Sequence, residues 1–140
     1  MQGIPQDWID AGLDPDAAAI VVAPDVGDDW DEIRDVLLAA FATSRRAATD
    51  SRPMVFVVHN DDLLGRRGPG RAMVATGLLS GARTAAIELA KERVPVNTLA
   101  ITDDSDPGTI VRWIEVLASS AGPTGELVHL GADHIGRALP

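Results

Sequence analysis

Four short apolar runs punctuate the chain, at residues 17–23 (AAAIVVA), 54–58 (MVFVV), 96–101 (VNTLAI) and 126–130 (ELVHL). Short apolar runs bounded by turn residues read as strands buried on both faces. Asn97 interrupts the third run, so its amide needs a partner there. The stretches after the first three runs carry apolar residues at helical spacing instead. In residues 29–48, Asp28 or Asp29 supplies an N-cap, and Asp31 and Glu32 add acid to the first turn. Ile33, Leu37, Ala40, Phe41 and Ser44 then share one face, and Arg45 and Arg46 close the last turns.

Residues 70–92 predict a second long helix. Gly77, Gly81 and Ala85 recur at spacing four, which puts three small residues on one face where another helix can approach closely. Met73, Leu78, Ala82 and Leu89 supply bulkier packing. A third helix begins with Asp106 as N-cap and Pro107 at its first position, and buries Ile110, Trp113, Ile114 and Leu117. Residues 1–17 set Trp8, Ile9 and Leu13 among Asp and Pro, which suits either a short helical turn or an acidic arm. Strand and helix alternate at short spacing. That predicts an α/β fold of about four parallel strands and three main helices, joined by right-handed crossovers. The division expected is an acidic arm, 1–17, and an α/β unit, 18–140.

Charge changes the picture at one place. The net charge is −9, and residues 1–35 hold ten acidic residues against Arg34 alone; the rest is neutral. Such a segment repels nucleic acid and anionic membranes, and leaves either a solvated surface or a docking site for a basic partner. The sequence has no cysteine, which excludes disulfides and thiolate metal sites. No apolar run approaches the ~18 residues of a membrane-spanning helix. The first residues lack the basic region of a signal peptide. The expected location is cytoplasmic. Basic charge is almost all arginine, with Lys91 the sole lysine, and Ala, Asp, Gly and Val are abundant, a bias that suggests a GC-rich bacterial genome.

Glu88-Leu89-Ala90 followed by Val96-Asn97 resembles the short-chain dehydrogenase/reductase family, where such a segment follows the helix bearing a catalytic Tyr-x-x-x-Lys. Trp30 to Ile33 resembles the opening of that family's preceding long helix. PGTIVRWIEVLASS and TGELVHLGA resemble its last helix and strand. The resemblance runs from about residue 18 to 133 and corresponds to the C-terminal half of the family's fold. It implies a truncated Rossmann-like three-layer domain. The departures are systematic. The tyrosine position falls on Arg71 and the lysine position on Ala75. The family's catalytic Asn falls on Leu37, and its Ser on His59 or Asn60. The chain holds neither a tyrosine nor the Gly-x-x-x-Gly-x-Gly nucleotide loop. A mechanism that uses a tyrosine phenol as acid cannot operate here, and a dinucleotide pyrophosphate lacks its usual seat.

Two candidate sites follow. The resemblance implies a helix-to-helix interface on residues 29–48 and 70–92, carried by Leu37, Phe41, Gly77, Gly81 and Ala85. The alternative is the loop of residues 59–71. There His59, Arg66, Arg67 and Arg71 stand at a strand's C-terminal end and suit an anion or other small ligand, with Asp61 or Asp62 as a partner for His59. His129 reads as a structural histidine, and Asp133 and His134 are too close together for a shared metal. The first run would lie at a sheet edge, with residues 1–16 or a partner chain its expected cover. The function expected is a non-catalytic assembly or regulatory subunit. Its partner would be itself or a full-length reductase, with no cofactor, metal, nucleic acid or membrane involved. The alternative is a ligand-binding or oxidoreductase-related protein using the 59–71 loop.

Overall fold

The computed structural model describes residues 3–131. Its strands are β1 (Ala19–Val22), β2 (Met54–His59), β3 (Val96–Ile101) and β4 (Leu127–His129). All pair in parallel, in the order β1-β2-β3-β4. The helices are α1 (Gln6–Asp10), α2 (Trp30–Thr49), α3 (Asn60–Leu63), α4 (Pro69–Glu88) and α5 (Pro107–Ala118). The architecture is the expected α/β one, Rossmann-like, with two short helices besides the three main ones. Asp133 and His134 lie outside the described residues.

Period-two alternation decides what each strand buries. Val21, Met54, Phe56, Val58, Val96 and Ala100 face one layer, made by α2 and α4. Val22, Val55, Val57 and Leu99 face the other, made by α5 and α1. Because both faces are covered, β2 and β3 are apolar almost throughout. Two polar residues interrupt β3, Thr98 and Asn97, each 1 % exposed, and of the two it is Asn97 whose side chain finds partners. Its Nδ2 donates to the carbonyls of Leu117 (2.8 Å) and Pro123 (2.7 Å), and its Oδ1 accepts from the Glu126 amide (3.0 Å). One amide thus joins the end of α5 to the start of β4.

Caps set the helix starts. Asp29 accepts from the Glu32 amide and Asp106 from the Thr109 amide. Gly68, at φ +106°, turns the chain into α4, a conformation that favours glycine. Gly70 lies so close to the preceding layer that a Cβ would overlap the Gly27 carbonyl oxygen. Its amide donates to Asp28 (2.9 Å), locking the start of α4 to the loop before α2.

Three expectations need correction. First, the crossovers are not all right-handed. The strands are laid down side by side in chain order, with α2 and α4 on one face and α5 on the other. Crossovers that step the same way over opposite faces have opposite hands, so at least one departs from the usual hand. Second, β1 is an edge strand, but residues 3–16 form no strand paired to it. Trp8 and Leu13 instead pack with α5 against a sheet face. Third, Trp113 and Met73 are 38 % and 44 % exposed, and Val111 takes a buried place on α5 beside Ile110, Ile114 and Leu117.

Candidate functional site

The 59–71 loop lies at the C-terminal end of the sheet, where open α/β folds bind ligands. β2 ends at His59, whose side chain caps the four-residue α3: Nδ1 accepts from the Asp61 amide (3.1 Å). A nitrogen that accepts there carries no proton, so Nε2 bears it and donates to Asp103 (3.0 Å). The partner of His59 is therefore Asp103, from the loop after β3, rather than Asp61 or Asp62. Both ring nitrogens are committed, which leaves neither as a ready base.

The arginines are each matched to a carboxylate. Arg66 reaches Asp61 (3.1 Å) and Arg71 reaches Asp25 (2.8 Å). Arg67 forms a bidentate pair with Asp62, at 2.8 Å for each bond, and the Asp62 side chain is almost fully buried. That pair holds the Arg67 guanidinium above the ordinary arginine range. The hydrogen bond to Asp62 is the main cause, opposed by burial and reinforced by the charges of Asp62, Asp103 and Asp25. The four residues of this candidate site share one end of the fold, but each is held by a different carboxylate, the arginines as ion pairs and His59 by a hydrogen bond. An incoming anion would have to displace one of them.

Asn60, 3 % exposed, starts α3 and was not singled out as a site residue by sequence reasoning. Its Nδ2 donates to the Leu130 carbonyl (3.0 Å) and its Oδ1 lies 2.6 Å from Nδ1 of His129. His129 is thus tied to α3 across the end of the sheet. Among the described residues no three His, Asp or Glu side chains converge as a metal site. No helix among them is long and apolar enough to cross a membrane.

The second candidate site lies on the α2–α4 layer. Leu37, Phe41, Gly77, Gly81 and Ala85 all line one open groove of about 630 Å³ between these helices, floored by Leu78 and Phe56. The two glycines differ. A Cβ on Gly77 would lie 3.0 Å from Leu37 Cδ2, so that glycine serves the contact between α2 and α4 within the chain. Nothing lies within 4 Å of a Cβ on Gly81, which faces open space. Phe41 stands at the rim, 63 % exposed. Of seven large apolar side chains left exposed among the described residues, five are on this layer: Trp30, Leu38 and Phe41 on α2, Met73 and Ile87 on α4. Sequence periodicity singled out Phe41 but not Leu38, Trp30 or Ile87, since apolar residues off the core stripe carry no sign of their surroundings.

A scan against protein-family models finds no match to this chain, and a search of curated proteins finds none either. Solved structures do match in fold. One is LugOII, a promiscuous reductase that catalyses keto-reduction at C1 during lugdunomycin biosynthesis: 16 % identity, TM-score 0.59, covering 79 % of this chain and 57 % of that one. Another is 4-hydroxyisoleucine dehydrogenase complexed with NADH and succinate: 19 %, 0.57, 81 % and 67 %. A third is a short-chain dehydrogenase/reductase from Serratia marcescens BCRC 10948: 18 %, 0.52, 80 % and 63 %. The chain thus shares the fold of NAD(P)-dependent reductases and spans 57–67 % of the length of these three.

Proposed function

We propose that this chain is a non-catalytic member of the reductase fold that works by association, as an assembly or regulatory subunit. The observation that carries this reading is the apolar α2–α4 surface, where exposed Phe41 shares one groove with the open face of Gly81 and Leu38 is exposed on the same helix as Phe41. A soluble monomer seldom leaves so many large apolar side chains exposed on one layer. Covering Phe41 and Leu38 contributes roughly 3 kcal/mol. The partner is a second copy or a full-length reductase carrying the same fold.

The absence of catalysis is argued from chemistry. The sequence holds no tyrosine to act as the family's acid, and Arg71 and Ala75 stand where its Tyr and Lys would align. Of the two residues that align with the catalytic serine, His59 has both ring nitrogens engaged and Asn60 is held by the Leu130 carbonyl and His129. These residues offer no nucleophile or acid poised for a carbonyl substrate.

Substituting Gly81→Arg tests the reading. The new side chain has room in the separate chain, so the fold persists, yet it brings an unmatched cation into the proposed contact. Size-exclusion chromatography with light scattering, run with and without the partner, is expected to show an assembly for wild type and a 14.7 kDa species for the variant. An assembly unchanged by Gly81→Arg would reject this surface.

A further inference from the structure

We propose that His59 is a proton-sensitive latch on α3: when its ring takes up a second proton, the cap it provides is lost and α3 loosens from the end of the sheet. The inference is independent of the association reading above.

The latch is the cap itself. In the neutral ring Nε2 bears the proton and donates to Asp103 (3.0 Å), while Nδ1 accepts from the Asp61 amide (3.1 Å). An imidazolium has two N–H donors and no acceptor. The Nε2 bond to Asp103 survives protonation. The Nδ1 bond does not, because two N–H groups then point at each other. Flipping the ring brings only a C–H into that place. The His59 side chain is 13 % exposed, so water has little access to replace the lost acceptor.

Much depends on that one bond. α3 is a single turn, too short to hold its shape alone. It carries Asn60, Asp62 and Leu63, all buried. Asn60 ties it to Leu130 and His129 at the end of β4, and Asp62 ties it to Arg67 on the way into α4. Loss of the cap therefore reaches the end of β4 and the turn into α4 as well.

His129 provides the contrast. Its Nδ1 lies 2.6 Å from Asn60 Oδ1, while the Asn60 amide nitrogen donates to the Leu130 carbonyl. Oδ1 only accepts, so the His129 Nδ1 already carries a proton. A second proton, on Nε2, leaves that bond in place. Of two histidines beside α3, one loses its bond on protonation and the other keeps it. The charges around His59 are mostly paired. Asp61 and Asp62 on α3 hold Arg66 and Arg67, and Asp25 from the loop after β1 holds Arg71. From the loop after β3, Asp103 faces Nε2 and also acts on Arg67, and Asp104 follows it in the chain. Among the described residues, none of these carboxylates accepts from the Asp61 amide.

The test is nuclear magnetic resonance of the full chain, labelled with nitrogen-15, from about pH 8 to about pH 5, the range in which histidines change charge. Ring nitrogen shifts report the protonation of each histidine. Amide exchange with solvent, corrected for its ordinary pH dependence, reports the opening of α3. As His59 charges, the Asp61 amide is expected to shift with it. The Asp61, Leu64 and Arg66 amides, which bond within this turn, are expected to lose protection about tenfold. His59→Asn is the control. Its Oδ1 is attached to Cγ as Nδ1 is, accepts from the same amide and never charges. That variant is expected to keep its protection at every pH. His129→Gln keeps a donor for Asn60 and is expected to retain the wild-type response.

Three results would overturn the inference. A His59 ring that charges with no loss of protection shows the cap to be idle. A ring that stays neutral down to about pH 5 removes the switch. A response that persists in His59→Asn belongs to another group, His129 or a carboxylate. Wild-type spectra alone decide the first two, so the inference stands or falls even if His59→Asn does not fold.

Discussion

Replacing Asn97 by Leu keeps the side chain's approximate volume and deletes one amide, and the structure says what that costs. Three backbone groups lose their partner: the Leu117 and Pro123 carbonyls and the Glu126 amide. The Leu117 bond is buried and the other two are partly buried. A buried group left unsatisfied costs about 1–3 kcal/mol, and a partly solvated bond about 0.5–1.5 kcal/mol. The apolar leucine recovers part of this, so the net loss is about 3 kcal/mol. For a domain of this size that is a drop of roughly 10 °C in melting temperature. Asn97→Asp should be worse. It retains an acceptor for Glu126 but turns a carboxylate oxygen on two carbonyls in a site with no cation. Thermal and urea unfolding followed by circular dichroism, at one protein concentration, give the numbers. Hydrogen exchange should show the amides of β4 and the end of α5 opening first. A loss under about 1 kcal/mol for Asn97→Leu, or Asn97→Asp the milder of the two, would refute the claim that this amide is the joint between α5 and β4.

Other expectations are read from the same packing. Gly70→Ala must push against the Gly27 carbonyl and should lower stability by about 3 kcal/mol, whereas Gly81→Ala in open space should raise it by about 0.5–1 kcal/mol; denaturant midpoints compare the two. Trp8 is 4 % exposed against α5, so Trp8→Ala should cost about 3 kcal/mol, and a smaller loss would make α1 an appendage instead of part of the core. Arg67→Ala strands the buried Asp62 carboxylate and should cost about 2–3 kcal/mol, while Arg67→Lys keeps the charge but not the two-pronged bond and should fall between, as seen in melts of both variants.

What the sequence carried and what it did not follow from the range of each interaction. The strands were legible because burial on both faces leaves little but apolar residues in β2 and β3. The helix starts were legible because Asp29 and Asp106 act on amides three residues away. Asn97 announced its need for partners, though not which carbonyls would meet it. The hand of the β3–α5–β4 connection was not legible, since periodicity tells which side of α5 is apolar and not which side of the sheet it covers. The loop site was legible as a cluster but not as a set of pairs. Asp103 comes to His59 from 44 residues away and Asp25 to Arg71 from 46, distances that only the assembled sheet closes. That Gly77, Gly81 and Ala85 share a face was legible, because spacing-four residues place themselves on one side of a helix whatever the surroundings, but that the face lines a groove was not. The exposure of Leu38, Trp30 and Ile87 elsewhere on the same two helices needed the structure.

The claim that the α2–α4 surface is covered by a partner is tested most directly by thiol protection. The sequence has no cysteine, so a single one can be placed at will. Gly81→Cys puts a thiol in the open groove, and Glu115→Cys puts one on the exposed side of α5. The rate of reaction with a soluble thiol reagent is then followed as protein concentration rises, and again as an intact reductase is added. The account predicts that Cys at position 81 becomes protected as the assembly forms, while Cys at position 115 reacts at one rate throughout. Equal and unchanging rates at both positions would contradict it.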